Sequence, residues 1–320
     1  MNAPRAHDVE DRLADALMRS DAMVATAAPI LRHLLVSDDQ SLFSDALVAR
    51  VRGGLAHLAQ QLMVELGKVA GVADPAEFAG EHRDGLAAQF YVDSAFLTHA
   101  HALALEAVLT ERLQARAALD PVVSPLVQAM IASADASVAG TAMNLLAAQA
   151  RFLQQQRRME MPIGELPGDL LHRALQTMLA YAGPESEELA REAAANLRSE
   201  YSEAASRLSL LSRCIGQMGS GAVAALSISH AGMALFLTAI STAAGQDRAL
   251  SVLAANDTQG VRLGLMLRSA GMKAELIEEQ FAWLHPDHPH PEGLDRLRVD
   301  QATALLSRTA PLVADDAAHG

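Results

Sequence analysis

Residues Cys214–Gln246 read CIGQMGSGAVAALSISHAGMALFLTAISTAAGQ, thirty-three positions without an Asp, Glu, Lys or Arg. Elsewhere a charge recurs within a few helical turns. Such a segment needs apolar surroundings, either the protein's own core or a bilayer. A run of roughly 18 or more apolar residues is the usual mark of a membrane-spanning helix, and Ala222 to Ala244 is long enough. Three features argue for a core instead. Ser227, Ser229 and His230 sit in the middle, where lipid penalises polar groups. Ser229 before His-Ala-Gly reads as the N-cap of a second helix. The flanks, Arg213 and Asp247, form neither a basic cluster nor an aromatic belt. The expectation is two helices swallowed by surrounding helices of the same chain.

Composition agrees with helices. Aromatics make up 3% of 320 residues. Strand-favouring residues are thin, while Ala, Leu, Gln, Glu, Arg and Met dominate. No stretch alternates with period two. An all-α, multi-helix bundle follows. The net charge of −13 repels phosphate and anionic lipid, so neither nucleic acid nor a membrane surface is an expected partner. One cysteine, Cys214, excludes an internal disulfide framework and a multi-cysteine zinc site. With no signal-peptide pattern in MNAPRAHDVEDRL, a cytoplasmic protein is expected.

Working outward, short helices are expected at Asp8–Ser20 and Asp21–Val36, with Pro29 as a kink or break, and frayed residues before them. Ser37–Gln40 reads as a connector and Ser44 as the next cap. Leu47, Val51, Leu55, Leu58, Leu62 and Leu66 form a helical stripe that must face a partner. Gly53-Gly54 inside it costs about 1 kcal/mol per glycine relative to Ala, which points to close packing or to a hinge. Asp74-Pro75-Ala76-Glu77 and Asp120-Pro121 are helix starts. Further helices are expected over 93–119 and 135–158. Met161-Pro-Ile-Gly-Glu-Leu-Pro-Gly168 cannot continue a helix, so the expected division is an N-terminal domain of residues 1–160 and a C-terminal domain of residues 161–320. A stripe at Leu197, Tyr201, Ala204, Leu208 and Leu211 predicts one helix running from Ser186 into the neutral segment. Residues 292–308 predict a last helix, and the tail after Pro311 reads as loose.

A weak internal echo follows the neutral segment. Gly232-Met-Ala-Leu-Phe-Leu leads to Ala244-Gly245, and Gly260-Val-Arg-Leu-Gly-Leu leads to Ala270-Gly271. Gly245 and Gly271 suit left-handed helix ends, and Asn256-Asp257 could cap the second unit. Helical-hairpin repeat character of the HEAT kind is therefore expected in the C-terminal half, against an irregular bundle.

SHAGMALFLTAISTAAGQDRALSVLAANDTQGVRLGLMLRSAGMKAELIEEQFAWL, Ser229–Leu284, resembles the C-terminal region of an all-helical bacterial family. That family is found chiefly in alphaproteobacteria and carried as a domain of unknown function. The shared pattern is helix, Ala-Gly, helix, Asn-Asp, helix, Ala-Gly, helix. The resemblance implies a helical, repeat-like fold and transfers neither an activity nor site residues.

Chemistry-bearing motifs are sparse. His285, His288 and His290, with Asp287, lie within six residues, and imidazole with carboxylate suits Zn²⁺ or Ni²⁺. The alternative is a plain polar loop stiffened by Pro286, Pro289 and Pro291. His99 and His101 are two apart on a helix and do not share a face. Gly216-Gln-Met-Gly-Ser-Gly221 lacks the lysine and strand of a phosphate loop. Cys214 sits where burial raises a thiol's pKa, which makes it a packing residue. Trp283 and Phe281 read as core. No catalytic site and no cofactor are implied. The leading expectation is a non-enzymatic adaptor or regulator that binds another protein, with a homo-oligomer expected if an apolar stripe stays uncovered. The alternative is a small-molecule or metal-binding protein with a cavity among the Met- and Ala-rich helices of 214–284.

Overall fold

A computed structural model describes residues 6–36 and 45–308. The first five residues, the Ser37–Gln40 connector, the Ser44 cap and the tail beyond Pro311 lie outside them. The described residues form fourteen α-helices joined by short 3₁₀ turns, with no strand among them. The protein is all-α.

By packing, the chain divides into two compact units. The first comprises residues 1–27, 105–146 and 211–320; the second comprises 28–104 and 147–210. The Met161–Gly168 break, expected to mark a domain boundary, lies inside the second unit.

In the second unit, α2 (Asp45–Val69) and α3 (Pro75–Val92) form a hairpin. All six stripe residues from Leu47 to Leu66 are buried. Gly71, at φ +67, turns the chain, and Val72 N–H closes onto Gly67 O at 3.1 Å, a left-handed helix ending. Asp74 caps α3 as its sequence implies, accepting from the N–H groups of Ala76 (2.9 Å) and Glu77 (3.1 Å). The Gly53-Gly54 pair serves close approach: a Cβ on Gly53 would lie 2.5 Å from Met159 Cβ, and one on Gly54 would lie 3.4 Å from Met161 Cβ. The 161–168 link is strapped to α2. Gln61 donates to Met161 O (2.9 Å) and accepts from Ile163 N–H (3.1 Å). α7 (Gly168–Ala182) and α8 (Glu187–Glu200) complete the unit.

The long helix expected from Ser186 to Leu211 is broken. α8 stops at Glu200, Tyr201 is extended (ψ 134°), and α9 (Arg207–Met218) starts afresh. The link competes for these residues and wins. Tyr201 donates its hydroxyl to Leu166 O at 2.7 Å, and Arg207 N–H donates to the Glu165 carboxylate at 2.7 Å. α8 therefore buries Ala190, Ala193 and Ala194 rather than the stripe from Leu197.

The first unit holds α1 (Ala6–Val36) up to Ala27, α4 (Ser94–Ala117) from Leu105, α5 (Pro125–Ile131), α6 (Ala136–Arg157) up to Leu146 and everything from Leu211 onward. α1 is one continuous helix rather than the two expected, with Pro29 inside it. α5 begins one cap later than expected, because Ser124, not Asp120, holds its first turn, accepting from Val127 N–H at 3.2 Å. α10 (Ile228–Ala244), α11 (Arg248–Asn256), α12 (Val261–Ser269) and α13 (Ala274–Leu284) follow in the expected order. The N-cap is Ser227 rather than Ser229, and the real discontinuity in α10 is Gly232, at φ +73. Gly245 (φ +61) and Gly271 (φ +85) end their helices alike. Gln246 N–H bonds Ser241 O (3.0 Å) and Met272 N–H bonds Leu267 O (3.1 Å). Asp257 does not cap α12. Its carboxylate takes Gln259 N–H (3.0 Å) and the Ser20 hydroxyl (2.8 Å), and Gly260 precedes the helix. The last helix is short, Val299–Ser307, behind a 3₁₀ turn at Leu294–Arg296.

The neutral segment is only partly swallowed. Residues 233–241 are buried throughout, but 216–224, the end of α9 and most of the 3₁₀ helix Gly219–Leu226, are each exposed or half-buried. Val223 is 69% exposed. The expectation of a wholly internal segment fails there, because Gly, Ser and Ala leave too little apolar surface to drive burial.

Candidate functional site

Buried charge in both units is committed to holding helices together. Glu106, fully buried on α4, accepts both Nη atoms of Arg248 at 2.9 Å each. Arg248 also donates to Thr238 Oγ1 at 2.9 Å, so one fork joins α4, α10 and α11. Arg262, 1% exposed, pairs with Asp21 of α1 and donates to Gln246 Oε1 (3.0 Å). In the second unit Arg207, 2% exposed, lies 3.7 Å above the Phe152 ring and donates to Gln149 Oε1 at 2.9 Å. None of these pairs was visible as a motif, since their members stand far apart in sequence.

The histidine loop does not assemble the expected triad. His285 is buried, and its Nε2 lies 2.9 Å from Ala255 O, so burial pushes its pKa down while that hydrogen bond pulls the other way. His288 is displaced, its ring centroid 6.4 Å from that of His285. His290 Nδ1 lies 3.1 Å from Pro291 O. No group of three or more His, Cys, Asp or Glu among the described residues is arranged to hold a metal ion. His101 is buried, and desolvation pushes it down to about 4. Cys214 is buried, with its thiol raised to about 11, chiefly by desolvation. Phe281 is core, while Trp283 is half-buried.

Two concavities stand out, and neither lies within 214–284. The larger, about 640 Å³ in the first unit, is walled by Val9, Leu13 and Ala16 of α1 and by the 291–296 turn, and it touches 214–284 only at Val261. Its rim mixes Arg12, Arg19 and Arg296 with Asp15, Glu292 and Asp295. The smaller, about 350 Å³, lies in the second unit between α2, the 161–168 link and the end of α8. Val64, Ile163 and Leu197 give it apolar surface; Gln60, Glu65, Lys68, Glu200 and Tyr201 give it polar groups. Burial, with Glu203 and Asp169 nearby, raises the Tyr201 phenol to about 12. The sequence singled out Tyr201 only as a member of a packing stripe, and it did not mark the cleft.

No single helix among the described residues is long and apolar enough to cross a membrane; α10 and α11 pass only as a pair bent by 115°. The fold thus defines an all-helical protein with two ligand-sized depressions. Comparison with protein-family models, characterised proteins and solved structures returned no match.

Proposed function

We propose that this chain is a non-enzymatic helical protein that binds another protein, as an adaptor or regulator. One observation carries the reading. Residues 216–224 are exposed or half-buried, yet none is charged, on a chain of net charge −13. A charge-free exposed run stands out on so acidic a chain, and exposed apolar surface such as Val223 is what marks contact sites. Gln217 ties this segment to α6 through Ser137 Oγ (3.1 Å) and Thr141 Oγ1 (3.2 Å), and α6 itself exposes Met143. The buried polar groups support the same reading, since the arginine pairs serve packing. Repeat character in α10–α13 is proposed on the shared glycine endings at Gly245 and Gly271. Membership of the helical family that residues 229–284 resemble is proposed on helix order alone.

The test is a photo-crosslinking residue at position 223 in the native cell, with position 185 as an exposed control. The reading expects one discrete polypeptide adduct at 223 and none at 185, with co-purification of that polypeptide lost in Val223→Asp. Identical adducts at both positions, no adduct, or co-purification unchanged in Val223→Asp would overturn it. Small-molecule binding is a second reading, favoured by the two concavities.

A further inference from the structure

We infer that the cleft of the second unit takes an alkylammonium group: one positive charge on an apolar stem. The inference goes beyond protein binding at 216–224 and uses different residues. About 350 Å³ is within the range of small-ligand sites, which pair apolar walls with a few convergent polar groups. Val64, Ile163 and Leu197 supply the apolar wall.

The polar groups are mostly acceptors. Gln60 Oε1 is buried without a hydrogen-bond partner. Its amide is oriented by the other end, where Nε2 lies 3.5 Å from Ala76 O. Turning the amide over would set oxygen against oxygen there. Tyr201 spends its one hydroxyl proton on Leu166 O, leaving its lone pairs to accept. The one lysine, Lys68, is taken by Glu65 at 3.0 Å, and Glu65 also accepts from Asn196 at 3.1 Å. The Glu200 carboxylate lines the cleft and forms no ion pair or hydrogen bond with any described residue. The lining therefore carries a net charge of −1, from Glu65 and Glu200 against Lys68. A wall with acceptors to spare and one uncompensated carboxylate selects a cationic donor. An ammonium supplies three N–H groups, and its stem lies against Val64, Ile163 and Leu197. The same chemistry is presented by a free amine and by a lysine side chain of another polypeptide.

The full chain is titrated calorimetrically with n-hexylammonium, 1-hexanol and hexanoate, and separately with acetyl-lysine methylamide. The expected result is saturable one-to-one binding of n-hexylammonium, weaker binding of hexanol and none of hexanoate. Glu200→Gln weakens the ammonium about 2- to 5-fold, the scale of a solvent-accessible charge pair. Leu197→Lys abolishes binding by placing a cation in the cleft, and Glu185→Gln, exposed and outside it, changes nothing. Circular dichroism checks that each variant keeps its helix. Binding of acetyl-lysine methylamide as tight as hexylammonium assigns the site to a side chain; weaker binding assigns it to a free amine. Absence of saturable binding, hexanol binding as tightly as the ammonium, or equal effects of Glu185→Gln and Glu200→Gln would overturn the inference.

Discussion

Met159 stands where a side chain on Gly53 would have to go. A Cβ built on Gly53 lies 2.5 Å from Met159 Cβ and 3.1 Å from Met159 O, and Met159 itself is held at φ +58. Each residue is out of place by local preference. A glycine sits mid-helix, and a methionine sits in the left-handed region that closes α6, where Glu160 N–H reaches Gln155 O at 2.8 Å.

Gly53→Ala is therefore expected to destabilise although it improves helix propensity. The clash involves backbone and costs about 1–3 kcal/mol, against about 1 kcal/mol returned by propensity. The net loss should be up to about 2 kcal/mol by urea unfolding. Met159→Gly should gain about 1 kcal/mol by relieving the left-handed strain. In that background Gly53→Ala should cost less, giving a favourable coupling in the double-mutant cycle. Additive effects would show that the two residues do not oppose each other.

The Glu106–Arg248 fork predicts a large effect from a small change. Glu106→Ala leaves a guanidinium with only 17% of its side chain exposed and no carboxylate at its fork. Breaking one half of a buried pair costs about 3–5 kcal/mol. Replacing both, as Glu106→Leu with Arg248→Met, should cost clearly less than Glu106→Ala alone, because no charge is stranded. Denaturant midpoints of the single and double variants decide it; a double variant as unstable as the single one would contradict this account.

What could be read in advance was local. Asp74-Pro75-Ala76-Glu77 announces a helix start because cap, proline and acceptor all act within four residues. The Leu47–Leu66 stripe announces a buried face because periodicity needs no partner to be seen. Gly245 and Gly271 were legible as endings for the same reason. What failed was competition. Leu197, Tyr201 and Leu208 keep helical spacing, yet the 161–168 link offers Tyr201 and Arg207 hydrogen bonds that a continuous helix cannot match. Asp21, expected to open a second helix, lies inside α1 as the partner of Arg262, 241 positions away. His285 looked like a ligand and is a buried helix-end residue against Ala255. The amine cleft joins α2 to residues 163–164 and 197–201, a juxtaposition no local pattern encodes.

His101 predicts a loss of stability in mild acid. Burial lowers its pKa from 6.5 to about 4. The unfolded chain thus binds a proton near pH 6.5 that the folded chain refuses until near pH 4. The contribution is fully present above pH 6.5 and is lost as pH falls toward 4, amounting to about 2–4 kcal/mol. His285, also shifted down, adds in the same direction. His101→Leu should flatten the dependence of the urea midpoint between pH 6.5 and 4.5, while His285→Leu should flatten it less. A slope unchanged in His101→Leu would mean that the imidazole is solvated enough to titrate normally.

The two halves of the neutral segment should respond very differently to the same substitution. Val223 is 69% exposed and Ile240 is fully buried, though both lie in the same charge-free run. Val223→Asp places a carboxylate in water and should change stability by no more than about 0.5 kcal/mol. Ile240→Asp places it in the fully buried run 233–241, where an unpaired charge costs several kcal/mol, a large share of the roughly 5–15 kcal/mol that holds a domain folded. That variant should unfold at much lower denaturant or fail to accumulate. If Val223→Asp instead destabilises by about 2 kcal/mol or more, with an effect that grows with protein concentration, the 216–224 surface is covered by a second copy of the chain. The binding surface proposed above would then be a self-association surface.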